Sequence, residues 1–125
     1  MREVIATKDG PQAIGPYSQA IRANGFIFVS GQVAIDPANQ QVINGDVAAQ
    51  TERVMKNLSG ILKAAGSGLE KVVRSTVFLK NMGDFGAMNE VYGRYFTAAP
   101  PARSTVEVAR LPKDVLVEID VIALA

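Results

Sequence analysis

The sequence predicts an α+β domain in which two helices lie on one face of a mixed β-sheet. Three observations carry the prediction. Short β-patterned segments come first and last, and two segments of helical period stand between them with one β-branched run separating the two. The runs "FIFV" and "VVRSTVFL" put apolar residues on both strand faces, although two helices can cover only one. The uncovered face needs a partner surface, so a symmetric oligomer is expected.

The elements follow in order. "GPQAIGPYSQ" (10–19) contains two Gly-Pro steps and is predicted to be an ordered loop. "AIRANGFIFVSG" places two short strands around Asn24-Gly25, the dipeptide favoured in a type I′ hairpin turn. "QVAIDPANQQVING" continues as a strand, a turn at Asp36-Pro37 and a further short strand. A first helix is predicted over 46–65. Asp46 caps it, and Val47, Thr51, Val54, Met55, Leu58, Ile61, Leu62 and Ala65 share one face. "GSG" at 66–68 stops it. "VVRSTVFLK" (72–80) is a β-branched strand. Asp84 is expected to cap a second helix with an inner face of Phe85, Met88, Tyr92 and Phe96, and Asn89 shares that apolar face. The last two strands are expected to form a hairpin around "RLPKD".

Composition narrows the chemistry. The 125 residues suit one domain, 1–125. Thirteen Lys and Arg against twelve Asp and Glu give a net charge of +1, with the cations scattered, so bulk charge offers nucleic acid no support. There is no cysteine, hence no disulfide framework or thiolate nucleophile, and no histidine, hence no Ser-His-Asp triad and none of the usual zinc sites. "MREVIATKDG" lacks the apolar core of a signal peptide, and no apolar run approaches the roughly 18 residues of a spanning helix, so a soluble, cytoplasmic protein without membrane partners is expected.

The stretch "PPARSTVEVARLPKDVLVEID" (100–120) carries charge inside strand-like flanks. Arg103, Thr105 and Glu107 share one strand face, as do Leu116, Glu118, Asp120 and Ile122. A hairpin centred between Arg110 and Leu111 sets Arg103 across from Glu118, and a slip of two residues would bring Asp120 there instead. Such a pair is either a cross-strand ion pair or a site for a small carboxylate. In the second case the guanidinium fork holds two carboxylate oxygens and the acid holds or activates a water. Spacing alone leaves both open. Asn89 can simply bond a carbonyl, Tyr17 can pack its ring on the sheet, and Ser30-Gly31 can end a strand. "GSGLEK" closes a helix rather than opening one, so it is no phosphate loop. Phe26 and Phe28 read as core rather than as a base-stacking platform.

The strings "AIGPYSQA" (13–20), "VSGQ" (29–32) and "PARSTVEVARLPKDVLVEID" (101–120) resemble the RidA family, the reactive-intermediate deaminases also called YjgF proteins. The likeness runs over essentially the whole chain. It implies a chorismate-mutase-like subunit in a homotrimer, with sites in the clefts between subunits. Members hydrolyse 2-aminoacrylate, 2-aminocrotonate and their imine tautomers, released by pyridoxal-phosphate enzymes, to ammonia and pyruvate or 2-oxobutanoate. No metal or organic cofactor is implied. By position, the carboxylate-binding arginine is Arg103 and the water-positioning acid Glu118, while Tyr17, Ser30, Gly31 and Asn89 match the polar lining. Two departures stand in the pocket wall: Pro100 where many members carry an aromatic residue, and Thr105 where many carry cysteine. Rival readings are a ribonuclease that inhibits translation, which would have to work without a histidine pair or a basic stripe, and a non-catalytic ligand-binding or chaperone-like trimer, against which Arg103 argues.

Overall fold

In the computed structural model, which describes residues 1–125, six strands form one mixed sheet with two helices packed on the same side of it. In chain order the elements are β1 (Arg2–Ile5), β2 (Ala20–Ala23), β3 (Phe26–Gln32), β4 (Ile35–Asp36), β5 (Gln41–Val42), α1 (Val47–Ala64), β6 (Val72–Leu79), α2 (Phe85–Tyr95), β7 (Ala102–Glu107) and β8 (Val117–Leu124). The sheet runs β1-β2-β3-β8-β6-β7, and β4 pairs with β5 as a separate ribbon. No helix is long and apolar enough to cross a membrane.

Local chemistry explains the elements. Asn24 and Gly25 both take positive φ, 52° and 83°, the geometry a type I′ turn requires between β2 and β3. Asp46 Oδ1 accepts from the Ala49 N–H at 3.0 Å and caps α1. At the other end Gly66 (φ 79°) lets the Ser67 and Gly66 N–H groups reach the Leu62 and Lys63 carbonyls, a Schellman ending. Val54, Met55, Leu58, Ile61 and Leu62 of α1 are buried against Ile27, Val77, Val117, Ile119 and Val121 of the sheet.

Both helices lie on one side for a topological reason. Strands β3, β6 and β7 run in the same direction, since β8 is antiparallel to β3 and to β6 while β7 is parallel to β6. Each helix is a crossover between two of them, α1 from β3 to β6 and α2 from β6 to β7, and both crossovers step the same way along the sheet. Crossovers of one hand stepping one way place their helices on one face. The opposite face stays bare. Val4, Phe28 and Leu124 on it are 57%, 43% and 45% exposed, and Val4, Ile21, Phe28 and Ile122 stand side by side across four strands.

Four expectations need correction. Phe26 and Phe28, expected in the core, are exposed on the bare face, because they alternate with the buried Ile27 and Val29. The hairpin predicted for the last two strands does not form. β7 pairs in parallel with β6 at the edge, the chain crosses β6 through residues 108–116, and β8 inserts between β3 and β6. Burial explains the choice. Val117, Ile119, Val121 and Ala123 are all nearly or fully buried and suit a central strand, whereas no residue of β7 is fully buried. Asp84 stands where an N-cap belongs, but inside a 3-10 turn (Met82–Asp84), and its side chain makes no capping bond. Asn89 lies on the exposed rim of α2 rather than on its buried face, which Met88, Val91 and Tyr92 form. The strand β1, for which the sequence analysis gives no expectation, joins the sheet by pairing with β2.

Candidate active site

Because β6 separates β7 from β8, Arg103 and Glu118 are not cross-strand neighbours. Arg103 stands beside Ser75 of β6, and Glu118 beside Phe78. Ser75 and Phe78 are three residues apart in a regular stretch, so they point to opposite faces. Neither the predicted pairing with Glu118 nor the slipped one with Asp120 occurs. The candidate residues form two separate half-sites.

The first half-site lies under α2 at the sheet edge. Arg103 Nη1 donates to Asn89 Oδ1 at 2.7 Å. Its guanidinium carbon lies 4.8 Å from the ring centre of Tyr92 and 5.5 Å from that of Phe85. Such faces attract a cation through the ring quadrupole. Tyr92 is itself held, since its hydroxyl and that of the buried Ser75 are 2.6 Å apart. Burial pushes the Tyr92 phenol above its usual range, with Ser75 and the charge of Arg103 acting against that. Arg103 belongs to none of the ion pairs of the chain, so neutral groups alone hold its charge. One of five donors is used on Asn89, and the rest of the fork can take a carboxylate edge-on. Asn89, Tyr92, Gly93, Phe96, Pro100, Pro101 and Arg103 line a cleft of about 430 Å³. Thr105 shares the strand face of Arg103 but lies outside that lining, and its buried Oγ1 has no hydrogen-bond partner.

The second half-site opens on the bare side of the sheet. Strand β3 carries a β-bulge between Val29 and Gln32, opposite β8, which sets Gly31 against Glu118. A Cβ at Gly31 would lie 2.9 Å from the Glu118 Cδ, so a larger residue there would push that carboxyl out of this position. Tyr17, Gly31, Gln32, Pro112, Lys113 and Glu118 line a cleft of about 320 Å³ together with residues of the 11–14 loop. Glu118 is half-buried and belongs to no ion pair. Its carboxyl is raised above the usual carboxylate range, first by burial and then by the nearby charge of Asp120. Ser30 does not reach this lining. Its hydroxyl donates to the Ser18 carbonyl at 2.6 Å and ties the bulge to the loop that carries Tyr17.

The structure thus brings Arg103 together with Asn89, and Glu118 with Tyr17 and Gly31. Thr105 and Ser30 stand behind the two groups. Sequence reasoning misses the supports. It puts Phe85 and Tyr92 on the inner helix face with no part in the site; Tyr92 is buried there while Phe85 is exposed, and with Asn89 they fall four and three residues apart on one helix stripe, which is a signal present in the sequence. It misses Gln19 as well. Buried in the Gly-Pro loop, Gln19 donates to the carbonyls of Thr7, Gly10 and Pro11 and accepts from the Thr7 N–H, and so shapes the loop beside Tyr17.

Comparison with known proteins agrees with the family strings of the sequence. Residues 7–125 match the family model described as Endoribonuclease L-PSP. A RutC family protein of Pyrococcus horikoshii is 54% identical over 98% of both chains. The mouse protein named 2-iminobutanoate/2-iminopropanoate deaminase is 47% identical over 99% of this chain and 92% of its own. A crystal structure of a conserved Rid family protein from Yersinia pestis superposes with a TM-score of 0.97 at 45% identity, covering all of both chains.

Proposed function

The chain belongs to the Endoribonuclease L-PSP family, the RidA or YjgF proteins, and from that premise we propose that it hydrolyses 2-imino and 2-enamino carboxylates to 2-keto acids and ammonia. The observation that carries this reading is Arg103, a cation held in place by an amide oxygen and two ring faces and paired with no carboxylate of its own chain.

One chain cannot bring Arg103 and Glu118 to one substrate, because they face opposite sides of the sheet. The working site is therefore proposed to join the Arg103 cleft of one subunit to the Glu118 cleft of the next in a homotrimer closed over the bare apolar face. Arg103 holds the substrate carboxylate and sets the imine carbon before a water held by Glu118 of the partner subunit. The water oxygen bonds to that carbon as Glu118 takes its proton. That proton passes to the nitrogen as the carbon–nitrogen double bond becomes single, giving a carbinolamine; its hydroxyl proton then moves to the nitrogen through the same carboxylate, the remaining carbon–nitrogen bond breaks, and ammonia leaves with the carbonyl formed behind it. An enamine first takes a proton at its β-carbon and gives one up from its nitrogen to become the imine. Burial, and then the charge of Asp120, raise the Glu118 carboxyl above its ordinary value, which favours a group that takes and returns a proton. Tyr17 and Gly31 shape the wall beside that water. Imines also hydrolyse unaided, so orientation and one acid–base group, together about 10²- to 10⁴-fold, are sufficient. The mouse deaminase supports iminopropanoate and iminobutanoate as substrates.

Coupling the purified protein to a threonine dehydratase and following loss of the imine tests the reading. Loss well above the unaided rate is expected. A protein that binds 2-keto acids but leaves the imine at its unaided rate would be a binding module. One that instead degrades single-stranded RNA would follow the family's ribonuclease description.

A further inference from the structure

The segment "RLPKD" (110–114) turns no hairpin, yet its backbone is held in an unfavourable shape. Lys113 (φ 55°, ψ 20°) and Asp114 (φ 56°) are consecutive left-handed residues, and neither is glycine. That conformation costs a residue such as lysine free energy that its surroundings must offset. The surroundings are specific. Asp114 Oδ1 accepts from Lys80 Nζ at 2.9 Å, and the Asp114 and Val115 N–H groups donate to the Leu111 and Pro112 carbonyls at 3.1 and 3.3 Å. Bonds on both sides of Lys113 therefore hold it where it stands.

It stands in the wall of the Glu118 cleft. Of the residues lining that cleft, Lys113 and Glu118 alone carry charge, and neither forms an ion pair with the other or with any further residue. A lysine kept there to neutralise the acid would pair with it, so its charge is left for something that enters. Lys113 also lines an adjoining cleft with Arg110, itself in no ion pair, while Asp114 there is taken up by Lys80. The two cations extend one positive field outside the site.

We propose that Lys113 steers substrate into the Glu118 cleft, its ammonium drawing in the anionic imino acid and offsetting the repulsion between the substrate carboxylate and Glu118. The inference rests on the deaminase reading and adds a residue to it. The proposed chemistry brings the substrate carboxylate within one carbon and one water of an acid that is itself an anion when it acts as base. Arg103 of the partner subunit answers that charge from the opposite wall. On the Glu118 wall, Lys113 is the cation that can.

The test uses the intact protein and iminopropanoate made in place from alanine by a flavin amino-acid oxidase. Semicarbazide competes for the imine, and suppression of semicarbazone formation measures kcat/KM between about 0.01 M and about 1 M potassium chloride, where the screening length falls from roughly 30 to 3 Å. Unit charges about 6 Å apart in water change a binding constant about threefold. At low salt Lys113→Asn should therefore lower kcat/KM about threefold and Lys113→Glu about tenfold, while Lys113→Arg stays within about 1.5-fold of wild type. All should converge on wild type at high salt. Asparagine accepts the left-handed conformation better than lysine, so the Tm of Lys113→Asn should be no lower than wild type, which separates lost steering from lost folding. Lys71→Glu, an equal change of net charge at an exposed lysine between α1 and β6 outside both clefts, should stay within about 1.5-fold. The proposal falls if Lys113→Glu matches wild type at low salt, if its loss persists undiminished at high salt, or if Lys71→Glu loses as much. A wild-type protein that leaves the imine at its unaided rate at every salt concentration would instead sink the deaminase reading, and the steering role with it.

Discussion

The Arg103 cleft lies on the helix-covered side of the sheet at its edge, whereas the Glu118 cleft opens on the bare side of a central strand. The cation is well provided for, with an amide oxygen at 2.7 Å and two aromatic faces. The acid is not. It has no cation partner, it is half-buried, and Asp120 beside it adds like charge. The contrast matches two tasks. A group that must only hold a carboxylate gains from being fixed and permanently charged. A group that must exchange a proton gains from an environment that makes its charged form less favourable. On the proposed mechanism neither half can do the chemistry of the other, and the sheet between them keeps one chain from combining both.

Removing the cation should have the largest effect. Arg103→Ala is expected to lower kcat/KM for iminopropanoate by about 10²-fold or more, since charge-assisted hydrogen bonds and the alignment they impose are lost together. Lysine should restore little, because a point charge does not reproduce two parallel hydrogen bonds. The fold should survive, as Arg103 is only partly buried on an edge strand. Circular dichroism showing an unfolded Ala variant, with Glu118→Gln fully active, would make the arginine structural.

Mixing the two half-sites sharpens the comparison next. Inactive Arg103→Ala and Glu118→Gln chains, unfolded and refolded together in equal amounts, should recover about one quarter of wild-type activity, because in a cyclic trimer a site is intact only when an Arg103-bearing chain meets a Glu118-bearing neighbour. Activity that stays at the level of the separate variants would mean that sites are not shared between subunits. A stable monomer in sedimentation equilibrium would lead to the same conclusion.

The smallest effect is on stability. The Glu118 carboxyl is raised from its ordinary value of 4.5, so the folded state binds its proton more tightly than the unfolded chain does. Its contribution to stability is full below that ordinary value and is lost as pH rises through the raised one. Glu118→Gln removes this loss. Its Tm should exceed that of the wild type by about 1–3 °C at pH 7, and the gain should vanish near pH 4. A gain of equal size at both pH values would assign the effect to packing rather than to the charge.

Much of the fold was legible because much of it is decided locally. Asp46 and Gly66 bound α1, and Asn24-Gly25 turn β2 into β3, through bonds and φ angles within a few residues. The bare apolar face was also legible, from counting faces against helices. Asp84 shows the limit of such signals, since the right residue at the right place makes no capping bond inside its 3-10 turn. The hairpin of residues 100–120 failed for a broader reason. Period-two alternation states which residues share a face, but not which strand lies alongside. Residues 108–116 turn through Lys113 and Asp114, both at positive φ, and carry the chain past β6.

By itself, then, the sequence determined the inventory of the candidate site. Without histidine or cysteine, arginine, glutamate and a few neutral polar groups were left for any chemistry, and the strings around Tyr17, Ser30, Arg103 and Glu118 pointed to one family. Only the tertiary structure decided that Arg103 and Glu118 face opposite sides of the sheet, and that Gly31 makes room for the acid while Asn89, Phe85 and Tyr92 hold the cation. The physical reason is range. Residue type and periodicity act within a turn or a strand, whereas strand order follows from burial summed over the whole sheet and from the hand of its crossovers.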